Sequence, residues 1–194
     1  MRRLIFIFLI SSFCHVAQGQ KLKKIFNNKN LYGWVVPNPN YDNWTVTDKM
    51  LLVKSSDDRK GSILWTQKTY KNFIVEVEYK DVSGVVDSGI FLRGENDQIQ
   101  IGISGSLKRD LTASPYIPGK RYPVEAKTEG ILKVGDWNTL KVKVLDKTYT
   151  VWLNGKEVMT YTSENIPASG PIGIQLHPGN DMSIQYRYIK LAEI

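Results

Sequence analysis

The chain has 194 residues, with 26 Lys and Arg against 19 Asp and Glu, a net charge of +7 and one Cys. A single Cys excludes disulfide staples and Cys-rich zinc sites, so stability must come from one packed core, which a chain of this length can supply. The basic residues are spread along the chain, which argues for solubility and against nucleic acid as a partner.

Residues 1–19 place Arg2 and Arg3 ahead of an apolar run from Leu4 to Ile10, with small residues at Ala17 and Gly19. That is the charge, core and cleavage layout of a secretory signal peptide. The run is too short to span a bilayer, and no later stretch approaches the roughly 20 apolar residues that spanning needs. The expectation is an exported protein, periplasmic or secreted, whose mature part is one domain over residues 20–194. Cys14 follows Phe13, a poor fit to the small residue that a lipoprotein signal places there. Cleavage removes Cys14 and His15 and leaves His177 as the only histidine.

Beyond the signal no amphipathic helical window exceeds about two turns, and two-residue alternation recurs to the end. Predicted strands run over Trp44–Thr47, Met50–Val53, Ser62–Thr66, Phe73–Tyr79, Gly89–Arg93 and Gln98–Ile103. After an irregular stretch from Gly102 to Gly135 they resume at Thr139–Val144, Tyr149–Leu153, Lys156–Tyr161, Ile172–His177 and Ser183–Ala192. Short strands at this spacing predict an all-β sandwich or barrel. Asn154-Gly155 is the clearest hairpin tip, since both positions tolerate positive φ; Asp48-Lys49 and Asp146-Lys147 are further tips. A long irregular excursion inside a compact domain is usually functional or mobile.

Alternation splits each strand into a core face and an outer face. Val75, Val77 and Tyr79 oppose Glu76 and Glu78; Ile90 and Leu92 oppose Phe91 and Arg93; Ile99 and Ile101 oppose Gln98 and Gln100; Ile174 and Leu176 oppose Gln175 and His177; Val151 and Leu153 oppose Trp152. A solvated face of an antiparallel sheet is the ordinary explanation. Such faces are rich in Lys, Glu and Thr, however, whereas planar polar groups beside aromatic rings suit sugar hydroxyls and pyranose faces. The candidate site is therefore an outer face carrying Glu78, Arg93, Gln98, Gln100, Gln175 and His177.

Glu76-Val77-Glu78 sets two carboxylates roughly 7 Å apart along a strand, but the Glu-x-Asp-x-x-Glu spacing of laminarinase-like sandwich enzymes is absent, so paired-acid glycoside hydrolysis gains little support. No P-loop, dinucleotide-binding glycine pattern, HExxH or EF-hand loop occurs, nor a Gly-x-Ser-x-Gly elbow. Lys108-Arg109-Asp110 in the irregular stretch reads as a solvated turn or a substrate loop.

Several motifs, in order, resemble one family. They are Leu64-Trp65-Thr66, the strand Tyr70–Tyr79, Asp87-Ser88-Gly89-Ile90-Phe91-Leu92-Arg93, Gly135-Asp136-Trp137-Asn138, Val151-Trp152-Leu153-Asn154-Gly155 and Gly173-Ile174-Gln175-Leu176-His177. The family is the 3-keto-disaccharide hydrolase domain, also described as 3-keto-glucoside lyase and hydratase, and the resemblance covers roughly Lys24 to Ile194. It implies a concanavalin A-like jelly-roll sandwich of antiparallel sheets and a small sugar or glycoside as partner. Carried over by position, the family's Glu, Arg, Gln and His fall on Glu78, Arg93, Gln175 and His177. Many members have Glu-x-Gln where this chain has Gln98-Ile99-Gln100. If that Glu is a base or metal ligand, this protein binds sugar without turning it over; if Gln98 marks a subgroup with the Gly105-Ser106-Leu107-Lys108-Arg109-Asp110 loop, activity uses other groups.

The resemblance implies cleavage of 3-keto-glycosides by C2 proton abstraction, elimination and hydration. That chemistry needs a base near C2 and donors or a cation near the C3 oxygen. The expected roles are His177 or Glu78 as base, Arg93 on the enolate oxygen, Gln98, Gln100 and Gln175 on hydroxyls, Trp152 as a stacking platform, and Lys108 and Arg109 as a substrate loop. A divalent metal could replace Arg93 as electrophile, although no ligand spacing demands one. The competing expectation is a non-catalytic carbohydrate-binding module.

Overall fold

A computed structural model describes residues 20–38 and 42–194. The predicted signal peptide, residues 1–19, lies outside the described residues. Those residues form fourteen strands and no helix. Eleven strands fall where alternation predicts them. The other three are pairs of residues, β1 (Lys23–Lys24), β2 (Trp34–Val35) and β9 (Pro115–Tyr116), too short to show a period.

The larger sheet runs β12 (Lys156–Thr162), β11 (Thr148–Leu153), β10 (Asn138–Leu145), β6 (Phe73–Gly84), β14 (Met182–Glu193), β4 (Met50–Lys54) and β3 (Trp44–Thr47), with β1 also on β14. The smaller sheet runs β2, β5 (Ser62–Thr66), β13 (Ile172–Leu176), β7 (Asp87–Leu92), β8 (Gln98–Gly102) and β9. Every strand pairing is antiparallel. Asn154 and Gly155 both take positive φ, 51° and 82°, as do Asp48 and Lys49, so both tips turn with the right-handed twist of their strands.

One apolar cluster joins the sheets. From the larger come Val75, Val77, Val142, Val151 and Ile189, and from the smaller Ile90, Leu92, Ile99, Ile101 and Ile174, all fully buried. Period-2 burial is clean along β10 and β11, whose outer faces meet solvent. It is absent from β7 and β8, where every residue is buried. Those strands are covered twice, because the chain after β8 folds back over their outer side. Ser114 O accepts from Gln100 N at 2.9 Å, Ala113 N donates to Gln100 O at 2.9 Å, and β9 pairs with β8. Those ladder bonds lay residues 113–116 along the edge of β8, and the same stretch reaches over the polar face through Gly105, whose N–H meets Asp87 Oδ2, and Tyr122, whose hydroxyl meets Gln100 Oε1.

Candidate functional site

The pocket lies where β7, β8 and β13 run side by side beneath that covering segment. Its lining includes Asp87, Gln98, Gln100, Gln175 and His177 from the sheet, and Ser104, Ser106, Tyr116 and Tyr122 from the cover. Register explains the convergence: Gly89 pairs with Gln100 and Phe91 with Gln98, while Gly173 of β13 pairs with Phe91. Side chains two residues from those positions therefore share the outer face.

Asp87 is the hub. Its carboxylate is 3% exposed; Oδ1 accepts from Gln100 Nε2 at 2.8 Å and Oδ2 from the Gly105 backbone N–H at 2.8 Å. A carboxylate only accepts, so Gln100 must turn its NH2 inward, and its Oε1 accepts from the Tyr122 hydroxyl at 3.1 Å. Burial raises the Tyr122 hydroxyl above its ordinary range; a hydrogen bond from Ser104 opposes this and the Asp87 charge reinforces it. Tyr122 thus stays protonated and keeps donating.

A second chain runs through Gln98, 3% exposed. Its Nε2 donates to Gln175 Oε1 at 2.6 Å and to Ser88 O at 3.2 Å. Both NH2 protons are then used. Gln175 Nε2 and Gln98 Oε1 have no partner among the described residues, which leaves a donor and an acceptor at the pocket. Gln98 must lie flat across β7 to reach Gln175, and Gly89 lets it: a Cβ there would stand 2.1 Å from Gln98 Nε2.

His177 follows the last residue of β13. Its Nδ1 lies 2.8 Å from Pro178 O and 3.7 Å from Asp87 Oδ2. Carbonyl and carboxylate oxygens have no proton to give, so in the neutral ring Nδ1 carries the hydrogen and Nε2 holds a free lone pair. The ring is partly exposed, and its Nε2 would stand 4.0 Å from a Cβ at Gly105. An acceptor base thus stands beside amide donors and acceptors. The cavity measures ≈ 90 Å³, well below the roughly 300–1,000 Å³ of sites that enclose a drug-sized ligand. It can engage one edge of a small polar ligand and leave the rest in solvent.

Of the residues expected from sequence, Gln98, Gln100, Gln175 and His177 come together here. Glu78 does not. It sits on β6 in the larger sheet, facing away from the core, and its carboxylate pairs with Arg187 Nη1 at 3.0 Å. Trp152, on β11, belongs to that same remote face, with Lys141 Nζ 4.8 Å from its ring centroid. Arg93 is 3% exposed and turned into the end of the sandwich, where Nη1 donates to Asp146 O at 2.6 Å and Pro167 O at 3.0 Å, and Nη2 to Asn72 Oδ1 at 3.0 Å. The single outer face expected for all six residues is therefore corrected: alternation separates core from non-core, and a sandwich has two non-core faces. Lys108 and Arg109 are exposed, outside the pocket, and Arg109 pairs with Glu125 across the covering segment.

Sequence reasoning missed Asp87, Tyr116, Tyr122, Ser104 and Ser106. Asp87 was legible, since it keeps the parity of Gly89 and Phe91, but the predicted strand began at Gly89. The tyrosines and serines lie in a segment without period. No group of three or more His, Cys, Asp or Glu among the described residues could hold a metal ion. A cation at the pocket would find one carboxylate with both oxygens engaged and one imidazole, a poor fit to a divalent site. No helix among the described residues is long and apolar enough to cross a membrane.

Comparison with known proteins places this geometry. The model of the 3-keto-alpha-glucoside-1,2-lyase-like domain matches residues 21–192. A putative glycosyl hydrolase from Parabacteroides distasonis is 22% identical, covering 90% of this chain and 100% of that one, with a TM-score of 0.68. A β-glucanase from Bacillus licheniformis is 16% identical over 91% and 100% of the chains, TM-score 0.62. A carbohydrate-binding module from Bacillus subtilis is 14% identical over 82% and 96%, TM-score 0.55. No curated protein matches the sequence significantly. These likenesses bear out the antiparallel concanavalin A-like jelly roll expected from the sequence.

Proposed function

Because the chain belongs to the 3-keto-alpha-glucoside-1,2-lyase-like family, we propose that the pocket binds a 3-keto-glycoside and cleaves it, with His177 as the base. The observation that carries this reading is the Nδ1 contact of His177 with the Pro178 carbonyl at 2.8 Å, which commits Nε2 to accepting a proton beside the free Gln175 amide.

A ketone at C3 acidifies the C2 proton. His177 Nε2 takes that proton, and negative charge develops on the C3 oxygen. The Gln175 Nε2 amide N–H is the donor left for that oxygen, the role that Arg93 cannot fill from its buried position. The enolate electrons then form the C1–C2 double bond as the C1–oxygen bond breaks, and the departing alkoxide takes the proton from the imidazolium. Water adding its oxygen to C1 and a proton to C2 completes net hydrolysis. Neighbouring hydroxyls are held by Gln98 Oε1 and the Ser106 hydroxyl. Export to the periplasm or the cell exterior, as the N-terminal segment suggests, is part of the same proposal.

A general base contributes typically 10²–10⁴-fold. His177→Ala should therefore lower kcat on a p-nitrophenyl 3-keto-glucoside at least about 100-fold, with KM little changed. Glu78→Gln should leave both parameters alone. The second reading is a binding module, favoured by the neutral Gln98 where many family members carry Glu. Saturable sugar binding with no p-nitrophenol released by the wild-type protein would establish it in place of the enzyme.

A further inference from the structure

The two residues that the pocket loses, Glu78 and Trp152, belong to a second surface on the outer face of the larger sheet. Register assembles it. Trp152 of β11 pairs with Lys141 of β10, Lys141 with Glu76 of β6, and Glu76 with Lys190 of β14. This row crosses three strand spacings, roughly 14 Å. The next row sets Thr139 beside Glu78 and Glu78 beside Tyr188.

Three aromatic rings on this side each carry a cation. Lys141 Nζ stands 4.8 Å from the Trp152 centroid, Lys190 Nζ 3.8 Å from that of Tyr188, and the Arg187 guanidinium carbon 4.0 Å from that of Trp137. All three rings are partly exposed. A single ring of this kind is ordinary on a solvated sheet face; three on one side, each with its cation, make a patch.

The charges decide the partner. Glu76 and Glu78 are both held internally, by Lys190 at 3.9 Å and Arg187 at 3.0 Å. Lys80, Lys141 and Lys143 share the face and make no ion pair with the described residues; Glu157 of β12, cross-strand partner of Trp152, is the one carboxylate there that is likewise unpaired among the described residues. The surplus is positive and lies beside flat apolar plates. Each cation lies over one face of its ring, 3.8 to 4.8 Å from the centre, so what the patch offers a pyranose is positive charge for an acidic substituent with the partly exposed remainder of the ring beside it.

We propose that this face is a binding surface for an anionic polysaccharide, one whose pyranose rings bear carboxylate or sulfate groups. Nucleic acid is the competing polyanion; because the cations are interleaved with the Lys190-paired Glu76 and the Arg187-paired Glu78 and do not form an unbroken basic stripe, competition between the two polymers decides between them. The surface lies on the opposite side of the sandwich from the pocket. It would hold the protein on a charged matrix while the pocket stays open, and it does not depend on the pocket being catalytic.

Affinity electrophoresis of the mature chain through gels cast with polygalacturonate, with dextran or with neither tests it. The expected result is retardation in polygalacturonate alone, diminishing as salt rises, with apparent affinity about tenfold lower for Trp152→Ala and lower still for the double variant Lys141→Glu, Lys143→Glu. Circular dichroism melts of these surface variants should match the wild type, and His177→Ala should be retarded like the wild type. Unchanged mobility in polygalacturonate overturns the proposal. Equal retardation in dextran overturns its anionic character, and displacement by single-stranded DNA at lower concentration than by polygalacturonate reassigns the surface to nucleic acid.

Discussion

At the scale of single residues, the site depends on the absence of one side chain. Gln98 reaches Gln175 only by lying over Gly89, and a Cβ there would stand 2.7 Å from the Gln98 Cγ and Cδ atoms as well as 2.1 Å from Nε2. Gly89→Ala should drive the Gln98 amide from β7, break its 2.6 Å bond to Gln175 and cost about 1–3 kcal/mol of stability by overpacking. KM should rise, because Gln98 no longer holds a hydroxyl, and kcat should fall as well, because Gln175 loses the bond that aims its N–H at the C3 oxygen. An unchanged KM would show that the Gln98–Gln175 pair does not hold the sugar. Arg93 makes the opposite case, a charged residue that chemistry does not need. Its guanidinium ties Asp146, Pro167 and Asn72 together from a buried position, and burial lowers its pKa against the opposing pull of Asp146. Arg93→Met should lower the urea-unfolding free energy by about 1–3 kcal/mol, since the partly buried Asp146 and Pro167 carbonyls and the Asn72 amide oxygen lose their shared donor, and leave KM unchanged in the fraction that folds.

At the scale of elements, the covering segment is pinned to the sheet by one carboxylate. Asp87 Oδ2 holds the Gly105 N–H while Oδ1 holds Gln100, which in turn receives Tyr122. Asp87→Ala leaves the Gly105 and Gln100 donors without an acceptor, a penalty of about 1–3 kcal/mol for each buried group. Hydrogen exchange should speed up over residues 103–126 while the amides of β10 and β11 keep their protection. Uniform acceleration across both sheets would instead mean that Asp87 holds the whole fold. The same elements show what sequence could and could not reveal. Alternation was enough to orient Gln98, Gln100, Gln175 and His177, because the first three lie on strands long enough to show parity and His177 continues that of β13 by one residue. It could not assign Glu78 and Trp152 to a sheet, since β6 and β7 are consecutive in the chain yet belong to different sheets. That assignment is fixed by pairings far apart in sequence, such as Glu78 with Tyr188. Tyr116 and Tyr122 had no period to read; their placement follows from the bonds of β8 to residues 113–116.

At the scale of the whole molecule, the two sheets and the covering segment meet around Tyr79. Its hydroxyl is buried, and its pKa is raised by burial first, then by the charges of Asp81 and Asp110, against the opposing pull of the Thr112 hydroxyl. Asp81 belongs to β6 in the larger sheet, and Asp110 to the segment that follows the smaller one. Burial of its carboxyl, then the Asp110 charge, raise the Asp81 pKa from 3.8 to about 6. A carboxyl with a raised folded pKa binds its proton more tightly in the native state than in the unfolded chain. Its stabilising contribution is therefore complete below pH 3.8 and is lost as pH rises through about 6. Asp81 as a residue is exposed, so solvent screening holds the effect to about 1 kcal/mol or less. The wild-type protein should thus lose that increment between pH 4 and pH 7, while Asp81→Asn, which cannot ionise, should not. Urea midpoints for the two proteins should diverge with rising pH, with the variant the more stable at pH 7. Parallel curves would mean that Asp81 and Asp110 are already relaxed by solvent, and that the junction of the two sheets carries no electrostatic strain.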